Sequence, residues 1–140
     1  MSEVFDFVVP RPVMTAHAGN SLVVHVAWAT KGFEPALAMS TDGSLAAALR
    51  ATARELACHV IAVGNTADEV HVIVRYPATV CVSEVAQLLK AASSEAWNRR
   101  GRKLQWHPGY WAKTCDNDRL DGIVDYVRGL RPVEVQAIAG

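Results

Sequence analysis

A carboxylate, an imidazole and a phenol are the side chains whose types and settings offer chemistry. The first two lie in the stretch Asp68-Glu69-Val70-His71-Val72-Ile73-Val74-Arg75-Tyr76. Val70, Val72 and Val74 alternate with the remaining residues, as in a strand buried on one side, so Glu69, His71, Ile73 and Arg75 share the opposite face. Two positions along a strand amount to a rise of about 7 Å at Cα. A carboxylate and an imidazole at that spacing can grip one hard divalent ion from one side, with Mg or Mn favoured over Zn if oxygen ligands complete the set. The same pair also reads as a solvated charge at a strand start beside a satisfied, half-buried imidazole. The phenol is Tyr126, on a helix opened by Asp116-Asn117-Asp118, with Leu120, Ile123, Val124 and Val127 as its apolar stripe. With Leu120 at zero, the stripe centres near roughly 350° and Tyr126 falls at roughly 240°, on its flank. Gly122, one turn earlier, leaves room over the ring at a helix cost of about 1 kcal/mol. A phenol held at a packed edge with space above it can serve as a nucleophile. Alternatively it packs its ring on a sheet and keeps its hydroxyl in water.

The elements that must position these groups follow from the pattern of the chain. Residues 1–20 mix short apolar pieces with Pro10, Pro12 and Gly19; the two prolines forbid a regular helix, and an extension lying on the surface is expected. LVVHVAWA, Leu22 to Ala29, is the Val-rich run of a central strand covered on both faces. A polar loop from Thr30 to Gly43 leads to an amphipathic helix between Ser44 and Cys58, with Leu45, Ala48, Leu49, Thr52 and Leu56 on one side. HVIAV, His59 to Val63, and the Glu69 strand read as a hairpin joined by the turn cluster Gly64 to Asp68. Ser83 is the expected cap of a second helix, whose stripe runs Val85, Leu88, Leu89, Ala92, Ala96 toward Trp97. Gly109 to Cys115 reads as a fourth strand, and the tyrosine helix follows.

That order, β-α-β-β-α-β and then an extra α, predicts an α+β fold. The expected architecture is a ferredoxin-like βαββαβ sandwich, an antiparallel sheet with two helices on one face, plus a C-terminal helix. The expected organisation is an N-terminal extension over 1–20, one domain over 21–131 and a tail over 132–140.

The bulk numbers exclude several classes. In 140 residues, 51% hydrophobic side chains supply a core for one domain, and 14 basic against 14 acidic residues balance to zero. Coating of duplex DNA by bulk charge is therefore not expected, although a local basic patch is compatible. Cys58, Cys81 and Cys115 are widely spaced without a CxxC pair, which fits a reducing cytosol rather than a disulfide or zinc framework. No run of roughly eighteen apolar residues and no leader-like N-terminus is found, so a cytoplasmic protein without a membrane span is expected. The basic cluster Arg99, Arg100, Arg102 and Lys103, interleaved with Trp97 and Trp106, combines phosphate-pairing charge with rings for stacking. Its alternative is a solvated helix end. His25 in its strand and His107 before Pro108 read as structural.

Five segments, in order, carry a resemblance: VHVAWATK (Val24 to Lys31), DEVHVIV (Asp68 to Val74), LLKAASS (Leu88 to Ser94), WHPGYWAKT (Trp106 to Thr114) and IVDYV (Ile123 to Val127). Together, over about residues 24 to 130, they resemble the small single-tyrosine transposases of the HUH class, of the insertion-sequence and REP-associated types. The resemblance implies that Tyr126 attacks a DNA phosphodiester, leaving a 5′-phosphotyrosine link and a free 3′-hydroxyl. It implies a divalent cofactor, Mg or Mn, that draws charge off the scissile phosphate. It also implies single-stranded or hairpin DNA as partner, contacted by the basic cluster, the two tryptophans and Lys90. A homodimer is implied as well, with the tyrosine helix of one subunit completing the other's site. In the family both histidines of the strand and a glutamine one turn after the tyrosine hold the metal. Here those positions carry Glu69, His71 and Leu130, of which Leu130 cannot ligate, and Asp68 or a water is left to complete the shell. Two functions follow: a DNA strand transferase, or a degenerate or domesticated relative that binds DNA without cutting it. A third reading is a generic ferredoxin-like dimer with a small ligand, because fold alone does not fix function.

Overall fold

The computed structural model describes residues 22–37, 43–99, 101 and 103–132. The N-terminal extension, Arg100, Arg102 and nearly all of the tail lie outside the described residues. The elements are β1 (Val23–Ala29), a 3-10 turn (Lys31–Phe33), α1 (Gly43–Glu55), β2 (His59–Asn65), β3 (Glu69–Arg75), α2 (Val82–Asn98), β4 (Trp111–Thr114) and α3 (Asn117–Gly129). The strands form one sheet in the order β2-β3-β1-β4 with every neighbour antiparallel, which is the expected sandwich with its additional helix. No helix among the described residues is long and apolar enough to cross a membrane.

Strand alternation sorts the side chains onto two faces. On one, Val24, Val26 and Trp28 of β1 and Val70, Val72 and Val74 of β3 pack against Leu45 and Leu49 of α1 and Val85 and Leu89 of α2. Each such buried aliphatic contributes about 1.5–3 kcal/mol. On the other, Val23, Ala62 and Ile73 meet Val124 and Val127 of α3 in a smaller apolar cluster. β1 is thus buried on both sides, as its near-continuous valine run requires.

A bulge decides how α3 lies. Val60 pairs with Val74 but Ala62 pairs with Ile73, so Ile61 is an extra residue in β2. From there on the register is advanced by one, and Gly64 rather than Val63 stands opposite His71. A Cβ at Gly64 would fall on the carbonyl oxygen of Val127, so the bare glycine lets the backbone of α3 rest on β2. Sequence reasoning placed Gly64 in the turn cluster; it is a strand residue under the tyrosine helix. Arg128 Nη2 donates to the Ile61 carbonyl at 3.4 Å, tying the same helix to the bulge.

The start of α2 also differs from expectation. Cys81, not Ser83, caps the helix, and the Glu84 carboxylate accepts the Cys81 N–H at 3.2 Å. Ser83 already lies inside the first turn, where its hydroxyl is in solvent. The expectation rested on residue type, and the reciprocal Glu84 contact moves the boundary forward by two residues.

Candidate active site

Cross-strand pairing places His25 opposite Ile73 and Ala27 opposite His71, so the two imidazoles are diagonal neighbours on the α3 face. His25 Nε2 lies 2.9 Å from His71 Nδ1, and His71 Nε2 lies 2.9 Å from Glu69 Oε1. With Glu69 ionised and His71 neutral, His71 donates from Nε2 to the carboxylate and accepts at Nδ1 from His25 Nε2–H. His25 then keeps one lone pair, at Nδ1. Burial, and secondly repulsion from His71 when that ring is protonated, hold His25 at a pKa of about 4, so it is neutral near pH 7. His25 is structural in the sense expected, being buried, yet it is also joined to the site. No pattern within β1 announces this, because it depends on the β1–β3 register.

Tyr126 stands over this row. Its ring centroid is 6.1 Å from that of His71 and 6.5 Å from that of His25, both edge-on, and the residue is 57% exposed. The helix flank calculated from the sequence is where it sits, with Val124 and Val127 turned into the sheet on either side. A cavity of about 380 Å³ opens beside the phenol, lined by His25, Trp111, Lys113, Arg119, Gly122 and Tyr126. A Cβ at Gly122 would meet nothing within 4 Å, so this glycine borders open space beside the ring. Trp111, half exposed, meets His25 edge-to-face at 4.8 Å. It lies in one of the segments that carry the resemblance, but nothing in its own pattern singled it out.

The donor set fits a divalent ion in part. Cis ligands of an octahedral ion with bonds of about 2.0–2.1 Å are separated by roughly 2.9–3.0 Å, and Glu69 Oε1 and His71 Nε2 are 2.9 Å apart. Among the described residues no group of three His, Cys, Asp or Glu side chains converges on one point. Asp68 is not the missing ligand, since its Oδ1 accepts a hydrogen bond from Thr66 Oγ1 within the β2–β3 turn at 3.0 Å. Leu130 follows the last helical turn with an extended backbone and an aliphatic side chain. Two protein donors, with water and substrate oxygens for the rest, is a set that Mg or Mn accepts.

The other expected contacts divide by burial. Trp97 is 4% exposed and packed in the main core, where no base reaches its ring. Trp106 donates from Nε1 to the Lys90 carbonyl at 2.9 Å and packs edge-on against Trp28. Lys90 is buried, with Nζ donating to the carbonyls of His107 and Gly109 at 3.1 and 2.9 Å. Burial lowers its pKa. Lys90 and Trp106 fasten the segment after α2 to the helix, and Trp97 fills the core, rather than presenting a stacking or phosphate-pairing surface. Arg99 is exposed and pairs with Glu95 at 3.4 Å, and Lys103 is exposed.

Residues 19–129 match the family model described as transposase, IS200 like. The chain belongs to that family. Among solved structures, it is similar to a candidate transposase from Deinococcus radiodurans R1, at 20% identity and a TM-score of 0.64, over 86% of this chain and 99% of that one. It is also similar to a REP-associated tyrosine transposase bound to a REP hairpin, at 17% identity and a TM-score of 0.59, over 86% of this chain and 70% of that one. At these identities the two structures establish the fold of this transposase-family chain. No curated protein matches its sequence.

Proposed function

We propose that this transposase-family chain binds single-stranded DNA hairpins and cuts and rejoins a strand through Tyr126. The observation that carries the reading is the half-exposed phenol held over the Glu69–His71–His25 row of its own subunit. Tyr126 Oη attacks the scissile phosphorus, the P–O3′ bond breaks, and the products are a 5′-phosphotyrosine and a 3′-hydroxyl. Reversal by another 3′-hydroxyl rejoins DNA without ATP, because the phosphodiester energy is kept in the covalent link. A phenol titrates near about 10, so its proton needs an acceptor. Water takes that proton and returns one to the departing 3′ oxygen, while Glu69 orients His71 through their hydrogen bond. A divalent ion held by Glu69 and His71 would replace that hydrogen bond, with the His71 proton moved to Nδ1, and would draw charge off the phosphate and orient it.

Lys113 and Arg119, which line the cavity beside Tyr126, supply positive charge for the strand, with Arg99 and Lys103 further out. A homodimer and a cytoplasmic setting belong to the same proposal, and Cys58, Cys81 and Cys115 are all free thiols. Exchange of tyrosine helices between subunits is not required, since the phenol already faces its own His71. Incubation with Mn and a single-stranded hairpin should yield a covalent protein–DNA adduct that Tyr126→Phe abolishes. Absence of that adduct in the wild type overturns the cleavage chemistry.

The lone second reading, a relative that binds hairpins without cutting them, is favoured by the two-donor set and by Leu130. On that reading Glu69→His with Leu130→Gln creates metal binding and cleavage where the parent has neither.

A further inference from the structure

Two cavities flank one indole. The cavity beside Tyr126, of about 380 Å³, has Trp111 as one wall. A second, of about 310 Å³, lies on the other side and is lined by Ala27, Ala29, Glu69, Pro108, Tyr110 and the same Trp111. Both stand at the small end of the roughly 300–1,000 Å³ range of pockets that enclose small ligands, room for a single nucleotide each. The nucleophile borders one cavity and the carboxylate of the hydrogen-bonded row borders the other, so the reacting phosphate belongs at the divide.

Trp111 is built to stay at that divide. Its edge-on contact with His25 at 4.8 Å props the indole against the row, while half of its surface remains in solvent. It sits on β4, an edge strand, whose four residues are all exposed. An exposed indole next to an exposed Tyr110 on a sheet edge invites association with an aromatic or apolar occupant. The walls differ in character. Ala27 and Ala29 keep the floor of the smaller cavity low and apolar, suited to a base. In the larger one Lys113 and Arg119 outnumber the single carboxylate, Asp116, as a phosphate-bearing chain requires.

We propose that Trp111 is a wedge inserted between the two nucleotides that flank the scissile phosphate, with one base in each cavity. This rests on the preceding assignment of Tyr126 only for naming which phosphate lies at the divide. Bases in a duplex are already stacked on each other, so a wedge admits an unpaired strand and rejects a paired one. The chain thereby selects single-stranded DNA at the reaction point by stacking rather than by reading a sequence.

The test uses the full chain carrying Tyr126→Phe, so that binding is measured without cleavage. An unpaired oligothymidylate and a blunt duplex of equal length serve as probes. Trp111→Ala should weaken oligothymidylate binding by about 5- to 150-fold and leave duplex binding unchanged. Trp111→Phe, which keeps a stacking face and guards against a folding artefact, should recover most of the loss. In the protein that retains Trp111, oligothymidylate should quench the indole emission, and Trp111→Phe should remove the quenched component. Equal losses for both probes, no loss with alanine, or no oligothymidylate binding before substitution overturns the wedge. Cleavage and wedge fail separately: intact single-strand selectivity without a wild-type covalent adduct sinks only the chemistry. An adduct whose yield and oligonucleotide affinity survive Trp111→Ala sinks only the wedge.

Discussion

The two faces of the sheet use the same strands for opposite purposes. Toward α1 and α2, residues 24, 26, 28, 70, 72 and 74 are all Val or Trp and form a sealed core. Toward α3, the intervening positions hold His25, Ala27, Ala29, Glu69 and His71, and the apolar patch that the helix covers is built on Val23, Ala62 and Ile73. One face maximises apolar burial. The other spends part of its area on polar groups and small residues, leaving a gap at the helix flank where a substrate can enter. The difference teaches that α3 is placed by a small apolar patch and one glycine, while the remainder of its footprint borders the open cavity beside Tyr126. A change on the sealed face should therefore cost stability, and a change on the open face should cost activity.

The largest thermodynamic effect belongs to the sealed face. Leu89→Ala removes a fully buried side chain from α2 and should destabilise the fold by about 2–5 kcal/mol in denaturant titration. Hairpin affinity per folded molecule should be retained at low temperature. A loss of affinity much greater than the unfolded fraction would show that the two faces are not separable.

Next comes the glycine under the helix. Gly64→Ala places a methyl group on the Val127 carbonyl, and overpacking of that kind costs about 1–3 kcal/mol. Because the helix backbone must move, adduct formation should fall far more than stability does. A Gly64→Ala protein with wild-type adduct yield would mean that the position of Tyr126 does not depend on this contact.

The smallest effect concerns pH. His25 is held at about 4 in the folded chain against 6.5 for an unhindered imidazole. Between those values the unfolded chain binds a proton that the folded chain does not, so stability is fully present above pH 6.5 and is lost as the pH falls toward 4. His25→Gln should remove on the order of 1–2 kcal/mol of that dependence. An unchanged pH slope in thermal melts would rule out the buried neutral state assigned to His25.

How much was legible before the fold is plain from particular residues. Period-two alternation put Glu69 and His71 on one face of β3, and the helical count put Tyr126 on a flank, because both depend only on local backbone geometry. Trp97 shows the limit. Its position beside a basic run reads as a stacking surface, but a large ring at the end of an apolar stripe contributes more by burial, and it turned inward. Lys90 and Trp106 went the same way, each finding backbone carbonyls that no sequence pattern displays. The cap at Cys81 was missed because its partner, Glu84, mattered more than the capping residue's own type.

The order and type of the elements, the parity of the site strand and the exposed flank of the last helix were determined by the sequence alone, since each follows from spacing along a single segment. Tertiary structure alone decided that His25 bonds to His71, that Gly64 replaces Val63 beneath α3 and that Trp111 divides two cavities. All three depend on strand register, and one unpaired residue at Ile61 sets part of that register. Register is a property of two strands at once, fixed by the packing of the whole sheet rather than by either strand's own pattern.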